Sequence, residues 1–156
     1  MRTYVDSGVL ITAARGNAAL SAPAIEILSD ATREFVSSDW VKLEVLPKAQ
    51  YFRQTSEVQF YNLFFGRVSV WALFGSDVLS VALQEASATG MSGADAIHVV
   101  LAARCGCAEF VTSERATSAI HRTARLRVVS IRPRETPETV VGRLLRCFRL
   151  RRARNV

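Results

Sequence analysis

Apolar residues fall along the chain in short clusters whose spacing alternates between strand-like and helix-like periods. Thr3-Tyr4-Val5 predicts a short strand that stops at Asp6, and a helical pattern follows, with Val9 and Leu10 one turn before Ala13 and Ala14. Ser21 has the chemistry of an N-cap, with Pro23 in the first turn of a helix reaching about Ser29. Glu34 to Ser37 predicts a second strand. Asp39 is placed to cap a helix that carries Val41, Val45 and Ala49 and is kinked at Pro47. From Ser56 the period puts Phe60, Phe64, Val68 and Trp71 on one face of a long helix. Ser76 caps the next helix, ending at Gly90, and Ser92 caps another through Arg104, closed by Gly106. Glu109 to Thr112 predicts a strand, residues 115–122 a short helix, and Arg127 to Ile131 a last strand. Beyond Pro133 and Pro137, residues Val140, Val141, Leu144, Leu145 and Phe148 form the apolar stripe of a final amphipathic helix, with Arg143, Arg146 and Arg149 on its other side.

Short apolar strands alternating with helices imply an α/β fold with a central, mostly parallel sheet flanked by helices. The expected organisation is one domain over residues 1–132, then a linker, an extra amphipathic helix and an Arg-rich tail over 133–156. At 156 residues and 49% hydrophobic, the chain has enough apolar material for one core. The densest apolar region, Val58 to Leu83, is broken by Arg67 and Asp77, which excludes a membrane span there. Ala22-Pro23-Ala24 imitates a signal-peptidase site, but Asp6 and Arg15 bracket too short an apolar run for a secretory leader. Cys105 and Cys107 have no pair at zinc-finger spacing, and three cysteines do not make a disulfide framework. A reducing cytoplasm is the expected setting. The net charge of +6 lies almost wholly at the end of the chain, where residues 137–156 hold six Arg and one Glu. Such a tail suits a polyanion or an acidic partner, and equally a solvated end that aids solubility.

In sheets of this kind the active site lies outside the carboxyl ends of the strands. Asp6 and Glu114 directly follow strands, while Glu44 and Asp95 lie near helix N-termini that commonly face the same edge. Each has a structural reading: Asp6 as a helix cap, Glu44 as a helix-surface charge, Asp95 in a capping box with Ser92, and Glu114 as a charge at the start of a helix. Gathered together, the four carboxylates would repel one another, and a divalent cation would remove that cost. Carboxylates with several waters are what Mg²⁺ or Mn²⁺ prefers.

The local sequences around these acids carry a resemblance. Tyr4-Val5-Asp6-Ser7-Gly8-Val9-Leu10-Ile11 resembles the opening of PIN domains, and Ser38-Asp39-Trp40-Val41-Lys42-Leu43-Glu44-Val45 their second acidic segment. Ala94-Asp95-Ala96-Ile97-His98 is similar to the segment with their third acid, and Phe110-Val111-Thr112-Ser113-Glu114-Arg115 to their Thr-Asn-Asp ending. Order, spacing and size resemble VapC-type toxins of toxin–antitoxin pairs over roughly residues 2–132. The resemblance implies a PIN-like nuclease domain and a Mg²⁺- or Mn²⁺-dependent endoribonuclease, in which a metal-activated water attacks phosphorus in line and the 3′ oxygen leaves. It implies Asp6, Glu44, Asp95 and Glu114 as the catalytic set, with Asp6, Asp95 and Glu114 as metal ligands. Ser7, Thr112 and Ser113 would be donors that orient carboxylates or water. Gly8 departs from the family's Asn or Ser, and Glu114 from its Asp. His98 is read as a packed residue with one satisfied nitrogen, with a contact to substrate as the alternative.

Eight of the aromatics lie between Tyr51 and Phe74. They read as core, as a groove, or as a dimer contact. The resemblance implies a homodimer and an antitoxin lying across this region. Arg149, Arg151, Arg152 and Arg154 are candidate RNA contacts. The alternative function is a catalytically weak PIN module that binds RNA or protein, and a deoxyribonuclease on the same acids is a third.

Overall fold

The structure is a computed structural model, and it describes residues 1–16 and 18–133, apart from the side chains of residues 18 and 19. The expected amphipathic helix and the Arg-rich tail lie outside the described residues. The elements run β1 (Arg2–Val5), α1 (Ser7–Arg15), α2 (Ala18–Ser29), β2 (Glu34–Ser38), α3 (Asp39–Tyr51), α4 (Thr55–Gly66), β3 (Val68–Ala72), α5 (Val78–Thr89), α6 (Gly93–Arg104), β4 (Glu109–Thr112) and β5 (Arg127–Ser130). A single 3₁₀ turn, Ala119–Arg122, precedes β5. All strand pairs are parallel, in the order β3-β2-β1-β4-β5.

This order places β1 at the centre, with Tyr4 and Val5 fully buried. Its neighbours come from opposite halves of the chain, Tyr4 pairing with Val36 of β2 and Phe110 of β4. The order also reverses direction at β1, because β2 and β4 lie on opposite sides of it. A crevice opens outside the carboxyl ends of two strands at such a reversal. Asp6 sits at that point, its backbone N–H donating to Val111 O of β4 at 3.0 Å.

Most predicted elements are present, with corrections that have local causes. The long helix from Ser56 ends at Gly66, and Val68 and Trp71 belong to edge strand β3, paired with β2. Helix α3 is capped by Ser38, whose Oγ accepts from Val41 N at 3.4 Å, so Asp39 is its first residue rather than its cap. The same helix runs through Pro47. Helix α2 begins at Ala18, and Ser21 lies inside it, donating its hydroxyl to Thr12 O at 3.2 Å. Helix α5 starts after Asp77, not at Ser76, and ends where Gly90 takes a left-handed φ of 74° that a side chain would strain. The helix expected over 115–122 is reduced to the 3₁₀ turn, and β5 stops at Ser130, one residue earlier than predicted.

Candidate metal centre

The site is built on the carboxyl edge. Asp6 follows β1 directly and occupies the N-cap position of α1 with extended backbone, but its side chain makes no cap bond. The carboxylate is turned instead to the crevice. Its Oδ2 accepts from Thr112 Oγ1 of β4 at 3.0 Å and its Oδ1 from Ser7 Oγ at 3.3 Å. Thr112 Oγ1 also accepts from Glu114 N at 3.0 Å, which ties the chain after β4 to the same point.

Glu44 approaches from α3. Its Oε2 meets His98 Nε2 of α6 at 2.8 Å, and the same nitrogen lies 3.9 Å from Asp6 Oδ1. His98 is 2% exposed, and its other nitrogen bonds Tyr4 OH at 3.1 Å. Tyr4 OH in turn bonds Ser38 Oγ at 2.8 Å. A buried hydrogen-bonded chain, Ser38–Tyr4–His98–Glu44, therefore fixes where the Glu44 carboxylate stands. One ligating atom each from Asp6, Glu44 and His98 lies within 4.8 Å of the others.

Asp95 and Glu114 stand outside that trio. Asp95 makes half of the predicted capping box of α6: its N–H donates to Ser92 Oγ at 3.1 Å, while its carboxylate accepts from the Ser92 hydroxyl at 2.8 Å. Its charge nonetheless reaches Asp6. Glu114 is exposed and turns to Ser118, whose Oγ donates to it at 2.8 Å. Ser113 fills the space opened by Gly8. A Cβ on Gly8 would stand 2.3 Å from Ser113 Oγ and 3.4 Å from Asp6 Oδ2. The space that a side chain at position 8 would take is held by the hydroxyl of Ser113, the residue after β4.

The electrostatics separate the two central acids. Burial raises the Asp6 carboxyl above its ordinary range, outweighing His98 and the Thr112 hydroxyl, and the Asp95 and Glu44 charges add to the rise. Burial acts on Glu44 in the same direction, but the hydrogen bond and charge of His98 prevail, helped by Ser7 and Trp40, and Glu44 is held low.

Other buried acids of the fold are neutralised differently. Glu57 is paired with Arg15 at 3.1 Å, Glu85 with Arg125, and Glu109 with Arg33. Among the described residues neither Asp6 nor Glu44 has an Arg or Lys within ion-pair distance. That deficit of positive charge, in a set of carboxylate oxygens facing one another, fits a hard divalent cation. His98 already uses both nitrogens, so its part is to hold Glu44. The sequence reading missed this link and that of Tyr4, although His98 stood in the Asp-Ala-Ile-His segment.

No protein-family model matches the chain, and no curated protein matches it in sequence. Solved structures do. A chain of the VapBC2 complex from Rickettsia felis, crystallised with a DNA fragment from its promoter, superposes with a TM-score of 0.62. The match covers 83% of this chain and 98% of that one at 12% identity. The fold is PIN-like. At that identity the likeness concerns architecture, and the PIN-like fold brings the carboxyl edge described above with it.

Proposed function

We propose that this chain is a metal-dependent endoribonuclease and the toxin of a toxin–antitoxin pair. The observation that carries the reading is the pair of carboxylates, Asp6 and Glu44, held together by His98 with no Arg or Lys partner among the described residues, at the strand-order reversal of a PIN-like sheet. Asp6 and Glu44 form the core of the proposed site, and Asp95 and Glu114 complete the proposed acid set. A bound Mg²⁺ or Mn²⁺ would supply an acidified water and stabilise charge on the phosphate oxygens. The chain's own residues do the positioning. Thr112 and Ser7 fix the two oxygens of Asp6, His98 fixes Glu44, and Ser113 stands beside Gly8. RNA is the proposed substrate, with the arginines of the tail as additional phosphate contacts. The proposed partners are a cognate antitoxin and a second copy of the chain. The exposed apolar side chains of Tyr51, Phe52 and Leu63 support that reading.

The direct test is the purified chain on RNA and on DNA with Mn²⁺, with Mg²⁺ and with chelator, beside inducible expression of wild type and Asp6→Asn. Metal-dependent cleavage of RNA alone, lost in Asp6→Asn, is expected. Equal cutting by wild type and Asp6→Asn in saturating Mn²⁺ would remove the site. The second reading, a catalytically weak binding module, is favoured by the turning of Glu114 to Ser118. Glu114→Asp should keep or raise activity and Glu114→Gln should lower it. Identical behaviour of the two would reduce Glu114 to a charge on the loop after β4.

A further inference from the structure

A cavity of about 540 Å³ opens on the carboxyl edge one strand further out, between the end of β3 and the start of α3. Its lining includes Ser38, Asp39, Trp40, Lys42, Trp71 and Phe74. It shares a wall with the acid site. Ser38 belongs to the hydrogen-bonded chain that reaches Glu44 through Tyr4 and His98. Trp40 and Glu44 are one turn apart on α3. We propose that this cavity is a nucleobase pocket, taking a base of a single-stranded RNA next to the phosphate held at the Asp6–Glu44 site. The ligand class rests on the nuclease reading above, and the pocket adds to it.

The lining has the chemistry of base recognition. Trp40 and Phe74 lie nearly parallel, at 26° with centroids 6.1 Å apart, and Phe74 is half exposed. They form a platform whose flat faces suit stacking of any base. Lys42 Nζ lies 3.8 Å from the centre of the Trp71 ring, a cation placed for a phosphate beside a stacked base. Asp39, whose carboxylate is 3.3 Å from Lys42 Nζ, has a side chain 92% exposed and can accept from a base edge that donates, as guanine does. Trp40 Nε1 is buried and acts on Glu44, which joins the wall of this cavity to the acid site. An apolar side chain of a protein partner, seated against the rim residues Leu43 and Leu73, would leave these polar groups unmatched in a drier site. A base edge brings donors and acceptors of its own.

Trp40 and Trp71 are the two tryptophans of the chain, so intrinsic fluorescence reads this cavity directly. The full chain is titrated with 5′-GMP and, separately, with ribose 5-phosphate. Saturable quenching by GMP and none by ribose 5-phosphate is expected. Phe74→Leu keeps an apolar side chain at a half-exposed position but removes the ring, and should weaken GMP binding by roughly fivefold to a hundredfold, the range for one lost base–aromatic stack. The proposal is overturned by three results: no saturable quenching by GMP at millimolar concentration, equal quenching by ribose 5-phosphate, or unchanged GMP affinity in Phe74→Leu. The first of these would leave the cavity to a protein side chain. Mononucleotide binding needs neither metal nor cleavage. Quenching without RNA cleavage would keep the pocket and remove the nuclease reading, and cleavage without quenching would remove the pocket alone.

Discussion

Gly8→Ala should change sign with the residue at position 113. A Cβ at position 8 would lie 3.4 Å from Ser113 Cβ and Asp6 Oδ2, which are ordinary contacts, but 2.3 Å from Ser113 Oγ, which no real pair of atoms tolerates. Only the hydroxyl must move. Ser113 has one torsion with which to move it, and forcing that side chain off its rotamer, with some local overpacking, costs about 1–2 kcal/mol. Against this, Gly8 lies in the first turn of α1, where Ala is favoured over Gly by about 0.5–1 kcal/mol. The single variant should therefore be close to neutral or destabilised by about 1 kcal/mol. In a Ser113→Ala background the obstacle is gone, and the same substitution should stabilise by about 0.5–1 kcal/mol. The coupling energy is then about 1–2 kcal/mol, or roughly 3–6 °C in Tm for a chain of this size. Urea denaturation of the four proteins without added metal measures it. If Gly8→Ala has the same effect in both backgrounds to within about 0.5 kcal/mol, the end of β4 does not approach α1 as described. Ser113 would then not be the hydroxyl that stands in for a side chain at position 8.

Three further outcomes follow from the site. Asp6→Asn should raise the Tm of the metal-free protein at neutral pH. The folded-state carboxyl is raised, so charging it lowers stability as pH climbs from the unfolded value to the folded one, and the variant's advantage should vanish below the unfolded value. Glu44→Gln should have the opposite sign, because Glu44 is held low: its stabilisation is present above the unfolded value and lost as pH falls through the folded one. A Tm series against pH in chelator separates the two, and a shared sign would refute the assignment of His98 to Glu44. His98→Ala removes a buried ring and two hydrogen bonds and should cost about 2–4 kcal/mol in denaturant unfolding, whereas a cost under about 1 kcal/mol would deny it the linking role. Replacing Arg149, Arg151, Arg152 and Arg154 with Gln should weaken RNA binding across sequences and flatten its log–log salt slope by up to about one unit per lost contact. Unchanged affinity and slope would leave the tail to solubility or to a protein partner.

Where the sequence was legible, a local signal and the tertiary structure agreed. Ser92 at the start of α6, Gly90 at the end of α5 and the strand ending at Asp6 all stand where their chemistry puts them. The miss at β3 has a definite cause. Phe60, Phe64, Val68 and Trp71 keep helical phase across Arg67, and an edge strand with one partner has a weak alternation of its own. Pairing with β2, which no local pattern reports, decides the matter. Asp39 and Ser38 are both good caps, and the extended backbone of Ser38 at the end of β2 selects the hydroxyl. The candidate acids were legible by position: Asp6 and Glu114 just past strands, Asp95 in the first turn of α6 and Glu44 one turn into α3. Their partition was not. That Asp6 and Glu44 share a neighbour, while Glu114 turns to Ser118, depends on the reach of side chains from different elements. His98 is a packed residue, as expected, but both its nitrogens and not one are engaged, because Tyr4 and Glu44 come from elements remote in sequence.

The central position of β1 has a consequence for the order of events on the ribosome. Asp6 and the Thr112 hydroxyl that holds it are 106 positions apart, and His98 and Glu44 are 54 apart. A nascent chain that has released β1, α1 and even α3 still lacks the strand on the other side of β1. Without β4 there is no reversal of strand order, no crevice and no Thr112 hydroxyl on Asp6. The acids are thus synthesised early and dispersed, and they become a cluster only when β4 has left the exit tunnel and docked. If the chain is the ribonuclease proposed above, surrounded at synthesis by its own message and by ribosomal RNA, that delay protects the cell that makes it. The same topology that makes a parallel sheet slow to close keeps the acid cluster unformed until the domain is nearly complete.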